Sequence, residues 1–241
     1  MLIRRYKYSG IVAPHDELHQ LKGTPGAYEF APFYVDIVGI GLVPQYANTV
    51  YGTFTGYNPS GDCDGYYMSS SFQPNNNCYA YGSLVASNSF PQPGRINSYS
   101  FWNIPNWGGP EVQKGAEMDG LLYVGTAISD FTPFLQANPN LAGHFVALMI
   151  SPTDTALGWS GDYHWARCDD NVNYASWSQK DGNDQVTNFD FAGNPITDPS
   201  QANWTVNQGP QADPSHPADD VVVSYGFYCF MFVPSTGVNI I

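Results

Sequence analysis

The sequence predicts an α+β fold built on a mostly antiparallel sheet with one or two short helices. Several segments are rich in Val, Ile, Tyr and Phe, which are the residues that strands favour. The 24 glycines and 19 prolines are spread along the whole chain, so we expect frequent turns and no long helix. Because no clean linker interrupts the 241 residues, we predict a single domain, 1–241.

The strands are predicted where apolar, β-branched and aromatic residues concentrate. The segments are 27–43, 49–57, 144–151, 162–168 and 220–233. The turn-rich stretch after residue 151 predicts an antiparallel hairpin that brings His144 and His164 near one end or face. The segments 90–115 and 181–219 predict loops, the first with short extended pieces.

Two short helices are predicted from their apolar runs and their end signals. The first is "CYAYGSLVA" (78–86), whose first turn Asn77 or Asn76 is placed to cap. The second is "SDFTPFLQANP" (129–139), where Pro139 comes just past the end.

The charge balance disfavours several partners. The net charge is -13, with only 8 Lys and Arg residues, and the basic residues form no cluster beyond position 7. Neutralising phosphates takes clustered cations, so we predict no nucleic-acid binding, and anionic membrane surfaces are disfavoured in the same way. No apolar run approaches the length of a transmembrane helix, so membrane insertion is not predicted either.

The composition favours a location outside the cell. Charged residues make up 12% of the chain, against about 25% in a typical soluble domain. Asn, Ser, Thr, Gln, Gly and Tyr must therefore cover the surface, which predicts an extracellular or particle-associated protein. No signal peptide is visible in the N-terminal residues.

No metal or other cofactor is predicted. The cysteines at positions 63, 78, 168 and 229 lack the close pairs of a zinc site. The segments 61–67 and 181–185 are rich in Asp, Asn and Gly, but neither contains the complete spacing of a calcium loop.

Cys78 is the candidate nucleophile, because it begins the first predicted helix. Unpaired N–H groups and the positive end of the helix dipole favour the thiolate there. A thiolate nucleophile also needs a general base nearby in space. The alternative is that Cys78 is structural, either buried or bonded to Cys63.

A helix-borne Cys, then a His that begins a strand, then a polar residue on the next strand is the chain order of papain-like folds. The order resembles the circularly permuted papain-like peptidases of the NlpC kind. That resemblance implies a papain-like fold and a hydrolase of peptide or cell-wall amide bonds, without a cofactor. His144 would be the base, and His164 or Asp162 would orient it. Gln73 would donate to the oxyanion, although the usual spacing from the Cys is one residue longer.

Four further strings resemble a group of uncharacterised, mainly bacterial proteins with the motifs N-N-C-Y-x-Y, Q-P-G-R, D-Y-H-W-x-R and W-S-x-K-x-G. They are "NNNCYAYGSLVASNSFPQPGR" (75–95), "DYHWARCD" (162–169), "WSQKDG" (177–182) and "TNFDFAGNPITDP" (187–199). The resemblance covers 75–200, the predicted Cys–His core, and leaves the β-rich residues 1–70 outside. Gln179 stands where that group usually has His.

The predicted substrate contains peptide or glycan, and its predicted contacts are Arg95, Tyr79 and Trp165. Arg95 closes the "PQPGR" turn and is suited either to clamp a substrate carboxylate or to tie down the loop. We predict that Arg167 pairs with Asp169 or Asp170.

Aromatic side chains support an alternative of a different class. Exposed Tyr and Trp offer flat surfaces for sugar rings or for partner proteins. The candidates are Tyr66, Tyr67, Tyr79, Tyr81, Trp102 and Trp107. On this alternative the chain is a non-catalytic extracellular or particle-surface module that binds carbohydrate or protein, and Cys78 is structural.

Overall fold

The computed structural model describes residues 33–37, 41–45, 76–85, 87, 89–182, 186–210 and 220–241. It confirms the α+β fold with a mostly antiparallel sheet and few short helices. The helices are α1 (Cys78–Ser83), α2 (Gly109–Met118) and α3 (Phe131–Ala137). The strands are β1 (Phe33–Ile37), β2 (Gly41–Gln45), β3 (Leu122–Gly125), β4 (Gly143–Ser151), β5 (Asp162–Cys168), β6 (Trp177–Lys180), β7 (Val186–Thr187), β8 (Thr205–Pro210), β9 (Asp220–Ser224) and β10 (Gly226–Pro234).

Six of these strands form the central sheet, in the order β3-β10-β4-β5-β6-β7. Each neighbouring pair in this sheet is antiparallel. β10 lies between β3 and β4, although it follows both of them along the chain. The pairs β1–β2 and β8–β9 form separate two-stranded antiparallel sheets.

The sheet carries an apolar core on each face, because side chains alternate along its strands. One core contains α1 together with Val146, Leu148 and Trp165, and we call this side the α1 face. The other core contains Ala147 and Ala166, the neighbours of those residues in sequence, and we call this side the opposite face.

α1 confirms the first predicted helix, although it ends at Ser83. The side-chain Oδ1 of Asn77 accepts a hydrogen bond from the N–H of Ala80 at 3.1 Å, so this asparagine is the N-cap. Leu84 adopts the left-handed conformation, with a φ of 57°, and its N–H bonds back to the carbonyl of Tyr81. That arrangement ends the helix.

α2 lies partly in the segment that we predicted to be a loop, so that prediction is wrong over 109–115. Pro110 occupies the first turn of the helix, where a missing N–H costs nothing. The carboxylate of Glu111 accepts from the N–H of Gly108 at 2.8 Å. The glycines and proline that suggested a loop therefore form a helix start.

The β4–β5 hairpin is confirmed, but it does not bring the two histidines together. His164 pairs with Met149, which is five residues from His144 along β4. In an antiparallel hairpin, a residue that begins the first strand lies opposite the end of the second. His144 is therefore far from the turn, whereas His164 is close to it.

Other predictions on the chain have mixed outcomes. The predicted helix 129–139 corresponds to α3, and the segment 220–233 forms β9 and β10. The predicted loop 181–219 includes β7 and β8. The predicted strand 49–57 lies outside the described residues. None of the helices in the described part of the chain has the length and hydropathy needed to cross a membrane.

Candidate functional site

Cys78 is the first residue of α1, and its side chain is buried. Its sulfur lies 4.0 Å from the carbonyl oxygen of Tyr163. The residue borders a cavity of about 200 Å³. Cys63 and Gln73, the predicted disulfide alternative and oxyanion donor, lie outside the described residues.

His144 lies at the other end of α1. Its Nε2 donates a hydrogen bond of 2.7 Å to the carbonyl oxygen of Gly82, which leaves Nδ1 as the basic nitrogen of the ring. Burial lowers the pKa of His144 to about 4, and the nearby charge of Arg167 also lowers this pKa. The ring is therefore neutral at pH 7 and bonded close to the C-terminal end of α1, whereas Cys78 begins the helix.

His164 lies on the opposite face of the sheet. Its Nε2 donates to Oε1 of Gln179 at 2.6 Å, and its ring centre is 5.5 Å from those of Phe191 and Trp204. The sheet therefore separates His164 from His144 on the α1 face. The role of His164 in orienting His144 stays a prediction. The structure does not bring the two side chains together.

Asp162 is also bound on the opposite face. Its Oδ2 accepts a hydrogen bond of 2.9 Å from the hydroxyl of Tyr225, which belongs to the core of that face. Its Oδ1 accepts from the N–H of Tyr163 at 2.9 Å. Asp162 borders the same small cavity as Cys78, so the structure brings these two predicted catalytic residues to one cavity without His144.

Gln179, which replaces the His of the resembling proteins, is fully buried. It accepts from His164, and its Nε2 donates to the carbonyl of Phe189 at 2.6 Å. The amide thus joins β5 to the segment that follows β7. Position 179 serves as a hydrogen-bonding partner of His164.

Two of the three predicted substrate contacts lie in the core. Tyr79 and Trp165 are fully buried, with ring centres 5.3 Å apart. The hydroxyl of Tyr79 donates to Asp119 at 2.9 Å, and burial raises the pKa of this tyrosine well above its usual value. Both side chains pack in the core of the α1 face, and their role as substrate contacts stays a prediction.

Arg95 ties a loop down, which is the structural option that the sequence left open. Its Nε donates to the main-chain oxygen of Ile241 at 2.7 Å. Its Nη2 donates to the carbonyls of Ser89 and Phe90 at 3.0 and 3.3 Å. The guanidinium is therefore used to hold main-chain oxygens.

The predicted pairing of Arg167 with Asp169 is confirmed, but the network around this pair was not expected. Arg167 Nη2 lies 2.5 Å from Asp169 Oδ1 and 2.7 Å from the hydroxyl of Tyr81. The hydroxyl of Tyr81 also lies 2.6 Å from that of Ser178, and the guanidinium carbon sits 4.2 Å from the centre of the Tyr81 ring. Burial raises the pKa of Asp169, and the charge of Arg167 acts against that rise.

This network forms one wall of a larger cavity, of about 720 Å³. His144, Arg167 and Asp169 line it, together with Ser83 at the end of α1. Sequence reasoning missed this cavity, because its residues come from four separate segments of the chain. The one available signal was a cation inside an apolar strand, which requires a buried partner.

The other resembling strings are tied to one another in the same manner. Lys180 is fully buried, and its Nζ donates to the carbonyls of Asn76 and Gly182. Asn77 Nδ2 donates to the carbonyl of Pro91 at 2.7 Å. The bond from Lys180 to Asn76 thus connects the string 177–182 to the string 75–95 just before α1.

Among the aromatic candidates, Trp102 is 41% exposed, whereas Tyr81 and Trp107 are buried. Tyr66 and Tyr67 lie outside the described residues. Within the described ranges, no three His, Cys, Asp or Glu side chains come together as metal ligands.

Comparisons with known proteins give one informative relative. No family model matches the chain, and no solved structure matches it. "Insoluble matrix shell protein 1" of Ruditapes philippinarum is 33% identical over 141 residues, which are 58% of this chain and 76% of that protein. An alignment of that extent indicates common ancestry. The chain therefore belongs to the same family as insoluble matrix shell protein 1.

Proposed function

We propose that this protein is a non-catalytic extracellular module that binds carbohydrate or protein of a matrix through aromatic side chains at its surface. The relative is named as a matrix shell protein, and extension of that setting to this chain is part of the proposal. The low share of charged residues, 12%, is in keeping with such a setting.

The observation that carries the proposal is that the polar residues of the motifs bond to other parts of the protein. Arg167, Asp169, Tyr81 and Ser178 are bonded to one another. Lys180 is bonded to main-chain carbonyls. Hydrogen bonds among buried polar groups fix the positions of the segments that carry them, which supports a structural role for these residues.

A cysteine hydrolase remains the second candidate, because Cys78 begins a helix and borders a cavity. Against it, the hydrogen bond of His144 is made near the far end of that helix, to Gly82. His164, which would orient the base, is bonded to Gln179 on the opposite face. The catalytic arrangement would require these groups to move.

The two candidates are distinguished by the reactivity of Cys78. Native protein is alkylated with iodoacetamide between about pH 5 and pH 10, and the labelled peptides are identified by mass spectrometry. Burial raises the pKa values of Cys168 and Cys229 to about 12, so these two thiols are slow internal references. For a non-catalytic module, we expect Cys78 to label no faster than a thiol with the usual pKa of about 8.5.

Rapid labelling of Cys78 below pH 7, slowed by His144→Ala, would overturn the proposal in favour of the hydrolase. The variant Cys78→Ser provides the complementary test. We expect this variant to retain the matrix binding of the wild type. If Cys78 were a catalytic nucleophile, the variant would lose all turnover.

A further inference from the structure

The exposed indole of Trp102 stands at the cavity that Cys78 borders. Trp102 lies in a 3₁₀ turn, Phe101–Asn103, and 41% of the residue is exposed. A tryptophan is costly to leave in water, and exposed aromatic rings are typical of binding surfaces.

Trp102 is fixed in place rather than free to rotate. Its ring centre is 4.7 Å from that of Phe101 and 4.8 Å from that of Trp107, the second contact being edge-on. Its indole N–H donates to Oε1 of Gln92 at 3.3 Å. A ligand that stacks on this ring therefore pays little for ordering the side chain.

Gln92 supplies a polar group beside the ring. Its Oε1 accepts from Trp102 and, at 2.7 Å, from the hydroxyl of Tyr163. Its Nε2 has one contact among the described residues, a long one of 3.4 Å to the carbonyl of Phe90. The amide carries two N–H donors, so at least one of them is available to a ligand.

The size and charge of the cavity restrict the ligand. About 200 Å³ is below the range of about 300–1,000 Å³ that suits drug-sized ligands, so the space admits one small ring. Among the described residues that line it, none is Lys or Arg. With a net charge of -13, the chain does not favour an anionic ligand here.

We infer that this cavity is a binding subsite for one neutral sugar ring of a matrix polysaccharide. The apolar face of the ring stacks on Trp102, and the amide N–H of Gln92 donates to a hydroxyl or acetamido oxygen. The inference rests on the proposed function and adds the site and the chemical class of the ligand to it.

The experiment uses the full chain and two soluble probes, chitotriose and cellotriose, at concentrations up to about 1 mM. Binding is followed by isothermal titration calorimetry. We expect the wild type to bind at least one probe, with an affinity that does not change with salt, because the ligand is neutral. Trp102→Ala should weaken the binding at least about tenfold.

Two further variants separate recognition from folding. Gln92→Glu keeps the oxygen that accepts from Trp102 and Tyr163 but removes the N–H donors, so we expect several-fold weaker binding with an unchanged melting temperature. Tyr123→Ala is the matched control, because Tyr123 is also an exposed aromatic, at 47%, and lies on β3 away from the cavity. We expect its affinity to equal that of the wild type.

The outcomes distinguish the two proposals. If the wild type binds a sugar and Trp102→Ala binds equally well, the subsite is wrong but the binding module stands. If neither probe binds and Trp102→Ala abolishes capture of a matrix protein, the ligand class is wrong and the module stands. If neither sugar nor protein binds and Cys78 proves reactive, both proposals fail.

Discussion

Each face of the central sheet carries a histidine, and the two rings are hydrogen-bonded differently. His164 is buried, whereas His144 is half-buried. On the α1 face, His144 donates to a main-chain carbonyl, that of Gly82. On the opposite face, His164 donates to a side-chain amide, that of Gln179. A main-chain acceptor is present whatever residue occupies the position, whereas a side-chain acceptor depends on the sequence. The hydrogen bond of His164 on the opposite face therefore depends on which residue stands at position 179, whereas that of His144 does not depend on the residue at position 82.

The largest expected effect comes from breaking the ion pair on the α1 face. In Arg167→Met, Asp169 loses its buried partner, and we expect a loss of about 3–5 kcal/mol in the free energy of unfolding. Urea denaturation followed by circular dichroism measures it. The double variant Arg167→Met/Asp169→Leu removes both charges and should recover most of the loss. A single-variant loss below about 1 kcal/mol would contradict a buried, desolvated pair.

The next effect compares neighbouring residues of β6 that serve different faces. Gln179→Ala strands the donor of His164 and the carbonyl of Phe189, so we expect a loss of about 2–4 kcal/mol. Ser178→Ala removes one hydroxyl from the network around Arg167, and we expect about 1 kcal/mol. Equal losses in the two variants, measured by the same urea titration, would show that the amide of Gln179 contributes no more to stability than the hydroxyl of Ser178.

The third effect is a pH dependence that His144 on the α1 face should produce. The pKa of His144 is about 4 in the folded protein and about 6.5 when unfolded, so the unfolded chain binds more protons between these values. The contribution of His144 to the free energy of unfolding is therefore fully present above pH 6.5. As the pH is lowered towards 4, the free energy of unfolding falls by at most about 1.4 kcal/mol per pH unit.

The control for this pH dependence is His144→Gln, which keeps an N–H donor for Gly82 but does not titrate. Asp169, whose pKa is raised by burial, adds an opposite slope that both proteins share. The difference between the two stability profiles isolates His144. Parallel profiles from pH 4 to pH 7 would mean that the histidine is not desolvated in the folded state.

The sequence was sufficient for the parts of the fold that local patterns determine. The concentration of apolar and aromatic residues in 144–151 and 162–168 predicted β4 and β5, and Asn77 marked the start of α1. The pair of Arg167 and Asp169 was predictable because side chains two positions apart in an extended chain point to the same side. Such features depend on neighbours within a few positions.

The remaining features depend on contacts between distant segments. The face on which His164 lies follows from the register with Met149, which no local pattern reveals. The partner of Tyr79 is Asp119, 40 positions away. Glycine and proline misled us at α2, because the same residues begin helices and form loops. The assembly of the candidate site could therefore not be predicted from spacing along the chain.

The position of β10 in the sheet has a consequence for synthesis. β10 pairs with β3 on one side and with β4 on the other, and it begins 75 positions after β4 ends, at residue 226. While the chain leaves the ribosome, both of those strands wait with an unpaired edge. Pairing of β3 and β4 with β10 therefore cannot begin until residues 226–234 have been made, and until then the unpaired edges are open to pairing with other chains.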